Sequence, residues 1–385
     1  MGHPKTKQTK QIPLIVDFKD VVKSKLTTKE IGGKGLSLGR MTNLFENFVP
    51  FGCCVTIRAY KEHVLHQCRI DMSCIQSAGE ATLKSVAQKI RDTPLSTGTR
   101  AEIRAWLRSR QVTKNTRFAV RSSGTLEDGS QQSFAGQYDT ILNVLPNLVY
   151  LERALKSCWA SLWSAHSRSY LRSTSSSLSF NIPLMSVVLQ LMLNPVCAGT
   201  MFTINPMNAN VNEIVVQSVW GLGEGQVSGM YTGHTATIDW RNGKIVSKTS
   251  TPQLKKLVCV DTKESENIKE VPTSESEQRA SPLTLKTLHH LGSLALKVAS
   301  HYNIPQDLEW ALCKDSRLYL LQSRPVTKVS FPRDSGRWFQ IHGSEVGPLG
   351  ESIGYKLSLS LSLSSLLFIT TTTTTTTTKK EERRS

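Results

Sequence analysis

No two cysteines in this sequence are separated by two residues, which argues against a zinc ribbon or a CxxC redox motif. The eight cysteines are scattered along 385 residues, and we expect them to be reduced thiols. The nine histidines form no Ser/His/Asp or Cys/His set by spacing, so hydrolases of those classes are not indicated. No apolar stretch typical of a secretory signal opens the chain, and none is suited to a membrane span, so the expected compartment is the cytosol.

Glycine (24) and proline (15) are too few for a low-complexity or collagen-like chain. With 39% hydrophobic and 20% charged residues, the composition is that of a folded protein, and the length suffices for two or three domains. Acidic residues are in deficit, because 30 Asp and Glu stand against 47 Lys and Arg, which leaves a net charge of +17. This charge favours polyanionic partners, namely nucleic acid, a membrane surface or the phosphates of a nucleotide.

Both ends of the chain lack a pattern that can pack. Residues 355–385 contain alternating Leu and Ser, then nine threonines and a charged end, and we predict a disordered tail there. Alternating Leu-Ser is also what a CT dinucleotide repeat encodes, so read-through into repetitive DNA is one explanation and a genuine tail is the other. Residues 1–16 read as a basic tail, and residues 331–354 as the start of a linker toward a missing domain.

Helix and strand patterns are mixed between these ends, without strict strand-helix-strand alternation. Apolar spacing predicts helices over 35–47, 151–171 and 284–302, strands over 117–121, 185–193, 197–204 and 213–219, and a hairpin that turns at Asn242-Gly243. This mixture favours an α+β fold in which two parts clamp a ligand. It argues against a doubly wound sheet. We expect the parts to span 17–204 and 205–330, with a solvated loop over 261–279.

Two glycine-containing segments are candidate phosphate loops. The segment 32–35 (Gly-Gly-Lys-Gly) is not a P-loop, because a glycine and not Ser or Thr follows Lys34. A lysine among glycines at a helix N-terminus can still contact a phosphate together with backbone N–H groups, and a plain turn with an exposed lysine is the alternative. The segment 221–225 (Gly-Leu-Gly-Glu-Gly) follows a strand, but the helix that a dinucleotide fingerprint needs is doubtful there.

An arginine at the end of a predicted strand, Arg121, precedes Ser122, Ser123 and a polar loop that carries Phe134. Such an arginine can bind a phosphate, and a flexible loop can then cover it. A surface loop with an incidental arginine is the other interpretation.

A β-hairpin is predicted near the end of the folded part, with charged groups on one face. Side chains alternate along a strand, so Asp307 and Glu309 share a face. If the hairpin closes midway, Glu309 lies across from Gln322 and Asp307 across from Arg324. Two acids, an amide and an arginine suit Mg²⁺ shared with a phosphate chain, whereas a solvated face with weak salt bridges is the alternative.

Six short blocks stand in order along the chain: 31–39 (IGGKGLSLG), 120–123 (VRSS), 133–144 (SFAGQYDTILNV), 199–203 (GTMFT), 220–224 (WGLGE), and 307–310 (DLEW) followed by 321–325 (LQSRP). Together they resemble the ATP-binding domain of phosphoenolpyruvate synthase, pyruvate phosphate dikinase and rifampicin phosphotransferase, over about residues 28–327. The resemblance implies an ATP-grasp fold, in which ATP and Mg²⁺ are clamped between two subdomains. It also implies transfer of a pyrophosphoryl group from ATP to a histidine on a swivelling domain, with one phosphate released.

The resemblance implies that ten positions serve the nucleotide or its metal ion. Lys34, Arg121 and Arg324 would bind the phosphates and act as the catalytic groups, and Asp307 would support them. Glu309 and Gln322 would bind Mg²⁺. Gly136 and Thr140 would belong to a loop that closes over the phosphates, and Gln190 and Met192 would lie beside the adenine.

The first hypothesis is therefore the Mg-ATP-binding domain of a phosphotransferase. None of the nine histidines lies in the Ser/Thr-His-Ala setting of the swivelling domain, so that domain and the acceptor domain would be lost by truncation or encoded separately. One alternative is a catalytically silent ATP-binding regulator. The other, less favoured alternative is a basic nucleic-acid-binding protein, a hypothesis that rests on the net charge of +17. The final phosphate acceptor is not encoded in these residues.

Overall fold

The structure, a computed structural model, describes residues 12–71, 78–125, 139–164, 184–260 and 268–326, and two short strands between 128 and 133. Its strands are β1 (Ile15–Asp17), β2 (Gly52–Val55), β3 (Phe118–Gly124), β4 (Asp128–Gly129), β5 (Gln132–Ser133), β6 (Thr140–Val144), β7 (Met185–Leu191), β8 (Pro195–Phe202), β9 (Glu213–Trp220), β10 (His234–Asp239), β11 (Lys244–Thr249), β12 (Lys255–Cys259), β13 (Ile268–Pro272), β14 (Gln306–Cys313) and β15 (Leu318–Pro325). Its α-helices are α1 (Phe18–Val21), α2 (Thr28–Leu44), α3 (Ile57–Lys61), α4 (Glu80–Asp92), α5 (Thr97–Ser109), α6 (Leu148–Ser161), α7 (Glu224–Val227), α8 (Glu275–Arg279) and α9 (Leu285–Tyr302). The mixed helix and sheet composition expected from the sequence is confirmed.

Two antiparallel sheets form the framework. One has five strands in the order β1-β2-β7-β3-β6, and the other has six in the order β11-β10-β9-β8-β14-β15. The chain passes from the first sheet to the second between β7 and β8, through residues 192–194. This short connection brings the two sheets close together at that point.

Two apolar cores hold the sheets. The first packs α4, α5 and α6 on one face of the five-stranded sheet, with Trp106 and Trp159 buried in it. The second packs α2 and α9 on the six-stranded sheet around Leu38 and Trp310, and it also receives Val188 from the other face of the five-stranded sheet. Side chains on a strand alternate between faces, so β7 contributes to both cores and the second core joins the two sheets. None of the described helices is long and apolar enough for a membrane crossing.

Several local predictions are confirmed. The helix expected over 284–302 forms as α9, with Thr284 as its N-cap. The β10–β11 hairpin turns at Asn242-Gly243, where Gly243 adopts a φ of 70°. The helix expected over 151–171 forms as α6 and ends by Ser161, and residues 165–171 of that prediction lie outside the described part.

The predicted loop over 261–279 is wrong for its described part. Residues 268–272 form β13, which pairs with β12, and α8 begins with a reciprocal capping box between Ser274 and Glu277. The acidic composition reflects an exposed hairpin with ion pairs, such as Lys255 Nζ to Glu270 Oε2 at 2.7 Å, and not irregular backbone. The predicted linker over 331–354, the tail over 355–385 and most of the basic N-terminal tail lie outside the described residues.

Helix α2 consists of two helical segments that meet at Gly32, so a helix follows Gly32 as predicted, and a short segment that was not predicted precedes it. Thr27 and Glu30 form a capping box at its start, and the helix then kinks at Gly32, which has a φ of 67°. The hydroxyl of Ser123 on β3 donates to the carbonyl of Ile31 at 2.8 Å and accepts from the amide of Gly35 at 3.0 Å. The glycine segment is therefore held against β3, and the amide of Gly35 is bonded to the Ser123 hydroxyl.

Replacing Gly32 with alanine is expected to destabilise the fold by about 2–5 kcal/mol. A positive φ costs an L-residue about 1–2 kcal/mol, and forced overpacking adds about 1–3 kcal/mol. A Cβ on Gly32 would lie 2.1 Å from the carbonyl oxygen of Ser123, whereas a Cβ on Gly229, with a φ of 74°, would meet nothing within 4 Å. Urea denaturation of Gly32→Ala and Gly229→Ala separates the clash from the backbone strain, and equal losses in both variants would contradict this account.

Candidate functional site

A cavity of about 420 Å³ lies between the two sheets. Such a volume is in the range of small-molecule sites. Its wall combines residues of β3, β6 and β7 from the five-stranded sheet with residues of β8, β14 and β15 from the six-stranded sheet, and Lys34 reaches it from α2. Residues from distant parts of the sequence therefore face one space.

Nine of the ten positions predicted from the sequence line this cavity: Lys34, Arg121, Thr140, Gln190, Met192, Asp307, Glu309, Gln322 and Arg324. The tenth, Gly136, lies outside the described residues. The fold thus brings the nine side chains together, and what each of them does there stays a prediction.

Arg121 connects the two sheets at the cavity. Its Nη2 donates to Glu309 Oε2 at 2.7 Å and to Gln322 Oε1 at 2.8 Å, both on the hairpin of the six-stranded sheet. Its Nη1 donates to Gln190 Oε1 at 3.4 Å and to the carbonyl of Leu321 at 3.3 Å. Arg121 reaches this face because Val120, its neighbour on β3, points into the first core.

The predicted register of the β14–β15 hairpin is confirmed for its two polar pairs and is wrong by one residue next to the turn. Glu309 pairs with Gln322, and Asp307 pairs with Arg324. A bulge directly after Glu309 shifts the register, so that Trp310 faces Leu320. Bulges commonly re-aim side chains next to functional sites. Here the bulge separates the polar end of the hairpin, which faces the cavity, from its apolar end in the second core.

Glu309 is held as a carboxylate by its cationic neighbours. Burial by itself raises the pKa of this group, but the charge and hydrogen bond of Arg121, followed by the charges of Lys34 and Arg324, outweigh burial and lower it. Both side chains of the Arg121–Glu309 pair are largely shielded, with 13% and 26% of their surfaces exposed. The pair is therefore stronger than an exposed surface salt bridge.

Asp307 holds Arg324 in place at the edge of the cavity. Nε and Nη2 of Arg324 donate to Asp307 Oδ2 at 2.8 and 2.6 Å. Burial raises the pKa of Asp307, and the charge of Glu309 adds to this, while Arg324 opposes the shift. A buried carboxyl group thus holds the guanidinium of Arg324 at the cavity wall.

Lys34 lies near the carboxylate of Glu309, whose pKa it helps to lower. Its Nζ donates to the carbonyl of Ser122 on β3 at 3.0 Å. Together with Arg121 and Arg324 it gives the cavity three cations, which stand among four carboxyl groups, those of Asp139, Glu224, Asp307 and Glu309. Guanidinium and ammonium groups are the side chains that commonly bind phosphate.

The lining is apolar where the chain passes between the sheets. Leu191, Met192 and Leu193 line the cavity there, together with Leu142 and Leu222. The amide of Met192 donates to the carbonyl of Arg117 at 2.8 Å, which fixes the connection against the end of β3. A flat apolar group such as a nucleobase fits a wall of this kind.

Sequence reasoning missed three polar residues of the lining, Asp139, Thr200 and Glu224. Burial raises the pKa of Glu224, the charge of Glu309 raises it further, and Arg121 opposes the shift. Glu224 belongs to the WGLGE block, so a signal for it was present in the sequence. Thr200 belongs to the GTMFT block in the same way, and it faces the site because β8 pairs with β14.

Comparisons with known proteins agree with this geometry. Residues 28–335 match the family described as the pyruvate phosphate dikinase AMP/ATP-binding domain. Prodigiosin synthesizing transferase PigC of Serratia marcescens is 33% identical over 80% of this chain and 32% of that protein. Rifampicin phosphotransferase of a Streptomyces species is 32% identical over 83% of this chain and 36% of that protein. The probable phosphoenolpyruvate synthase of Pyrococcus abyssi is 32% identical over 78% and 42%, respectively.

The chain spans about a third to two fifths of the length of these relatives. Among solved structures, D-cycloserine synthetase DcsG aligns at 10% identity over 67% of this chain and 61% of that chain, with a TM-score of 0.21 that carries no argument. The resemblance inferred from the six sequence blocks is confirmed by the family match over most of the chain. The chain belongs to the family of the pyruvate phosphate dikinase AMP/ATP-binding domain.

Proposed function

We propose that this chain binds ATP with Mg²⁺ in the cavity between its two sheets and serves as the nucleotide domain of a phosphotransferase. The observation that carries the proposal is the Arg121 contact with Glu309 and Gln322, which joins residues of both sheets in one cavity. Three cations face that cavity beside an apolar wall. A triphosphate needs cations of this kind, and a purine needs an apolar wall.

The phosphate chain is bound by Lys34, Arg121 and Arg324 in this proposal. Their charges stabilise the negative charge that is spread over the oxygens of a transferring phosphoryl group, which is the main task of a protein in this chemistry. Gln190 and Met192 border the adenine. Thr140 lines the phosphate side, and the role of Gly136 in a covering loop rests on the sequence resemblance alone.

Glu309 and Gln322 fit Mg²⁺ by the chemistry of their donors. Mg²⁺ prefers oxygen ligands, and in nucleotide sites it is commonly held by one or two carboxylates together with phosphates. The described residues contain no cluster of three or more His, Cys, Asp or Glu that could hold a metal ion by itself. Bound Mg²⁺ neutralises phosphate charge. Arg121, which now neutralises Glu309, would then be released toward the phosphates.

The two-subdomain clamp of the ATP-grasp fold is part of the proposal. The five-stranded and six-stranded sheets supply its two halves, and residues 192–194 are the natural hinge because the chain crosses between the sheets there. No histidine belongs to the cavity lining among the described residues. A phosphoryl-accepting histidine on a separate swivelling domain is part of the proposal on the strength of the sequence resemblance alone.

Titration calorimetry of the whole chain with ATP, in Mg²⁺ and in EDTA, tests the proposal. We expect saturable binding of one ATP that is markedly tighter in Mg²⁺, since the ion joins Glu309 to the phosphates. Absence of ATP binding in both buffers would contradict the nucleotide site, and equal binding in both would contradict the metal part. Salt-sensitive retention on DNA that ATP does not change would favour the nucleic-acid hypothesis instead.

A further inference from the structure

A row of polar residues crosses four strands of the six-stranded sheet at the cavity. Gln217 on β9 pairs with Thr200 on β8, Thr200 pairs with Glu309 on β14, and Glu309 pairs with Gln322 on β15. Residues directly opposite one another on neighbouring strands project from the same face, with Cβ atoms about 4.5–5.5 Å apart. The proposed metal-binding pair, Glu309 and Gln322, therefore continues into a second polar pair.

The hydroxyl of Thr200 is held by two amide side chains. Gln226 on α7 donates from Nε2 to Thr200 Oγ1 at 3.1 Å and to Gln217 Oε1 at 3.0 Å. Thr200 Oγ1 in turn donates to Gln217 Oε1 at 3.3 Å. A hydroxyl has one hydrogen and two lone pairs, so one acceptor position of Thr200 is left after these contacts.

Thr200 lines the cavity, whereas Gln217 and Gln226 stand behind it and do not line the cavity. The Oε1 atom of Gln226 is buried and accepts a hydrogen bond from no described residue. Buried polar groups usually have partners, so the acceptor position of Thr200 that is left at the cavity wall points to a hydrogen-bond donor from outside the protein.

We propose that Thr200 is a positioning residue for the divalent ion of the proposed site, and that its hydroxyl accepts a hydrogen bond from a water bound to the ion at Glu309. Mg²⁺ usually keeps several of its waters, and protein groups that accept from such waters orient the ion. Thr200 is the cross-strand neighbour of Glu309, which gives it the right place for this contact. The inference rests on the proposed function.

The test compares Thr200→Val with Thr200→Ser. Valine keeps the shape of threonine and removes the hydroxyl, whereas serine keeps the hydroxyl. ATP affinity is measured by calorimetry in Mn²⁺ and in EDTA, and the environment of Mn²⁺ by electron paramagnetic resonance. We expect Thr200→Val to lower the enhancement of ATP affinity by Mn²⁺ about tenfold, because loss of a residue that orients metal ligands typically costs 10–100-fold. Affinity in EDTA should be unchanged.

Thr200→Ser should retain most of the enhancement and a Mn²⁺ spectrum like that of the unmodified protein. Thr237 on β10 lies outside the cavity lining, so Thr237→Val is the matched control and should change neither quantity. If Thr200→Val does not fold, Gln226→Leu provides the second test, with a smaller loss in the same direction.

The outcomes separate this inference from the proposed function. An unmodified protein that shows no metal enhancement of ATP binding overturns both. An unmodified protein with normal enhancement that Thr200→Val and Gln226→Leu leave intact overturns the role of Thr200 and leaves the proposed function standing. Loss of enhancement in Thr200→Ser equal to that in Thr200→Val would also overturn it, because the hydroxyl would then be irrelevant.

Discussion

Arg121→Met is expected to weaken ATP binding about 30-fold to several-thousand-fold, the largest change from any single substitution in this chain. The guanidinium contacts four acceptors at the cavity, and Glu309 is its ionic partner. Truncating one member of a shielded, hydrogen-bonded charge pair costs about 2–5 kcal/mol, and each 1.4 kcal/mol corresponds to a factor of ten. Calorimetry with ATP in Mg²⁺ measures the effect.

The same substitution should strengthen binding of a divalent ion in the absence of ATP. Arg121 now occupies Glu309, and a cation at that carboxylate must displace it or endure its repulsion. Two unit charges about 4 Å apart interact by about 1–4 kcal/mol in the dielectric range from water to a protein surface. Removal of the arginine should therefore tighten Mn²⁺ binding by about tenfold, as measured by electron paramagnetic resonance.

Arg279→Met provides the matched control. Arg279 pairs with Glu275 at 3.0 Å on α8, and both side chains are at least 80% exposed. Exposed pairs contribute about 0–1 kcal/mol, so neither ATP nor Mn²⁺ binding should change. Arg121→Met that binds ATP like this control would refute the placement of Arg121 at the phosphates. Parallel losses of ATP and Mn²⁺ binding would indicate a damaged fold and contradict the competition between arginine and metal.

The sequence was most informative where the relevant contacts are local. Asp307, Glu309, Gln322 and Arg324 belong to one hairpin, so alternation along the strands placed them on one face, and the assumed register gave the two polar pairs that the structure has. The bulge after Glu309 was not predicted, because no turn or glycine signal marks it. It lies between the turn and the polar pairs, so it shifts their register by one residue on β15 and brings Gln322 opposite Glu309.

Contacts between distant segments could not be derived from spacing. Arg121 and Glu309 are 188 positions apart, and their hydrogen bond depends on how the two sheets face each other. Only the combination of six blocks into a family resemblance placed them in one site. Thr200 lies in one of these blocks, but its contacts were not predicted, because they depend on the pairing of β8 with β14 and on an amide from α7.

Two local features of the structure did not follow from the sequence, and each has an identifiable physical cause. The strand β13 has three exposed residues among its five, so its pattern resembles that of a solvated loop. For the glycines at 32–35 the sequence left a phosphate contact and a plain turn open; in the structure Gly32 permits a kink against Ser123, and the amide of Gly35 is bonded to that serine. A glycine cluster indicates unusual backbone, but it does not indicate whether a ligand or the protein itself requires it.

Glu309→Gln is expected to abolish most of the metal dependence of ATP binding, with a loss of about 30-fold or more in Mg²⁺ and no loss in EDTA. Glutamine keeps an oxygen that can accept from Arg121, so the hydrogen bonds can persist while the ligand charge is removed. The pKa of Glu309 is lowered from its usual value, so the carboxylate is ionised at neutral pH and available to a cation. Losing a charged metal contact of this kind costs about 2 kcal/mol or more.

In EDTA the variant should bind ATP as well as the unmodified protein or better, because a negative charge that faces the triphosphate has been removed. The exposed carboxylate of Glu275 allows a matched control, Glu275→Gln, which should leave both affinities unchanged. Arg121→Met and Glu309→Gln should thus have opposite effects. Arg121→Met lowers the affinity for ATP and raises the affinity for a divalent ion, whereas Glu309→Gln lowers the effect of the ion and keeps the affinity for ATP in EDTA. A general loss of stability cannot produce both patterns. If Mg²⁺ still enhances ATP binding fully in Glu309→Gln, the ion binds at a place other than Glu309.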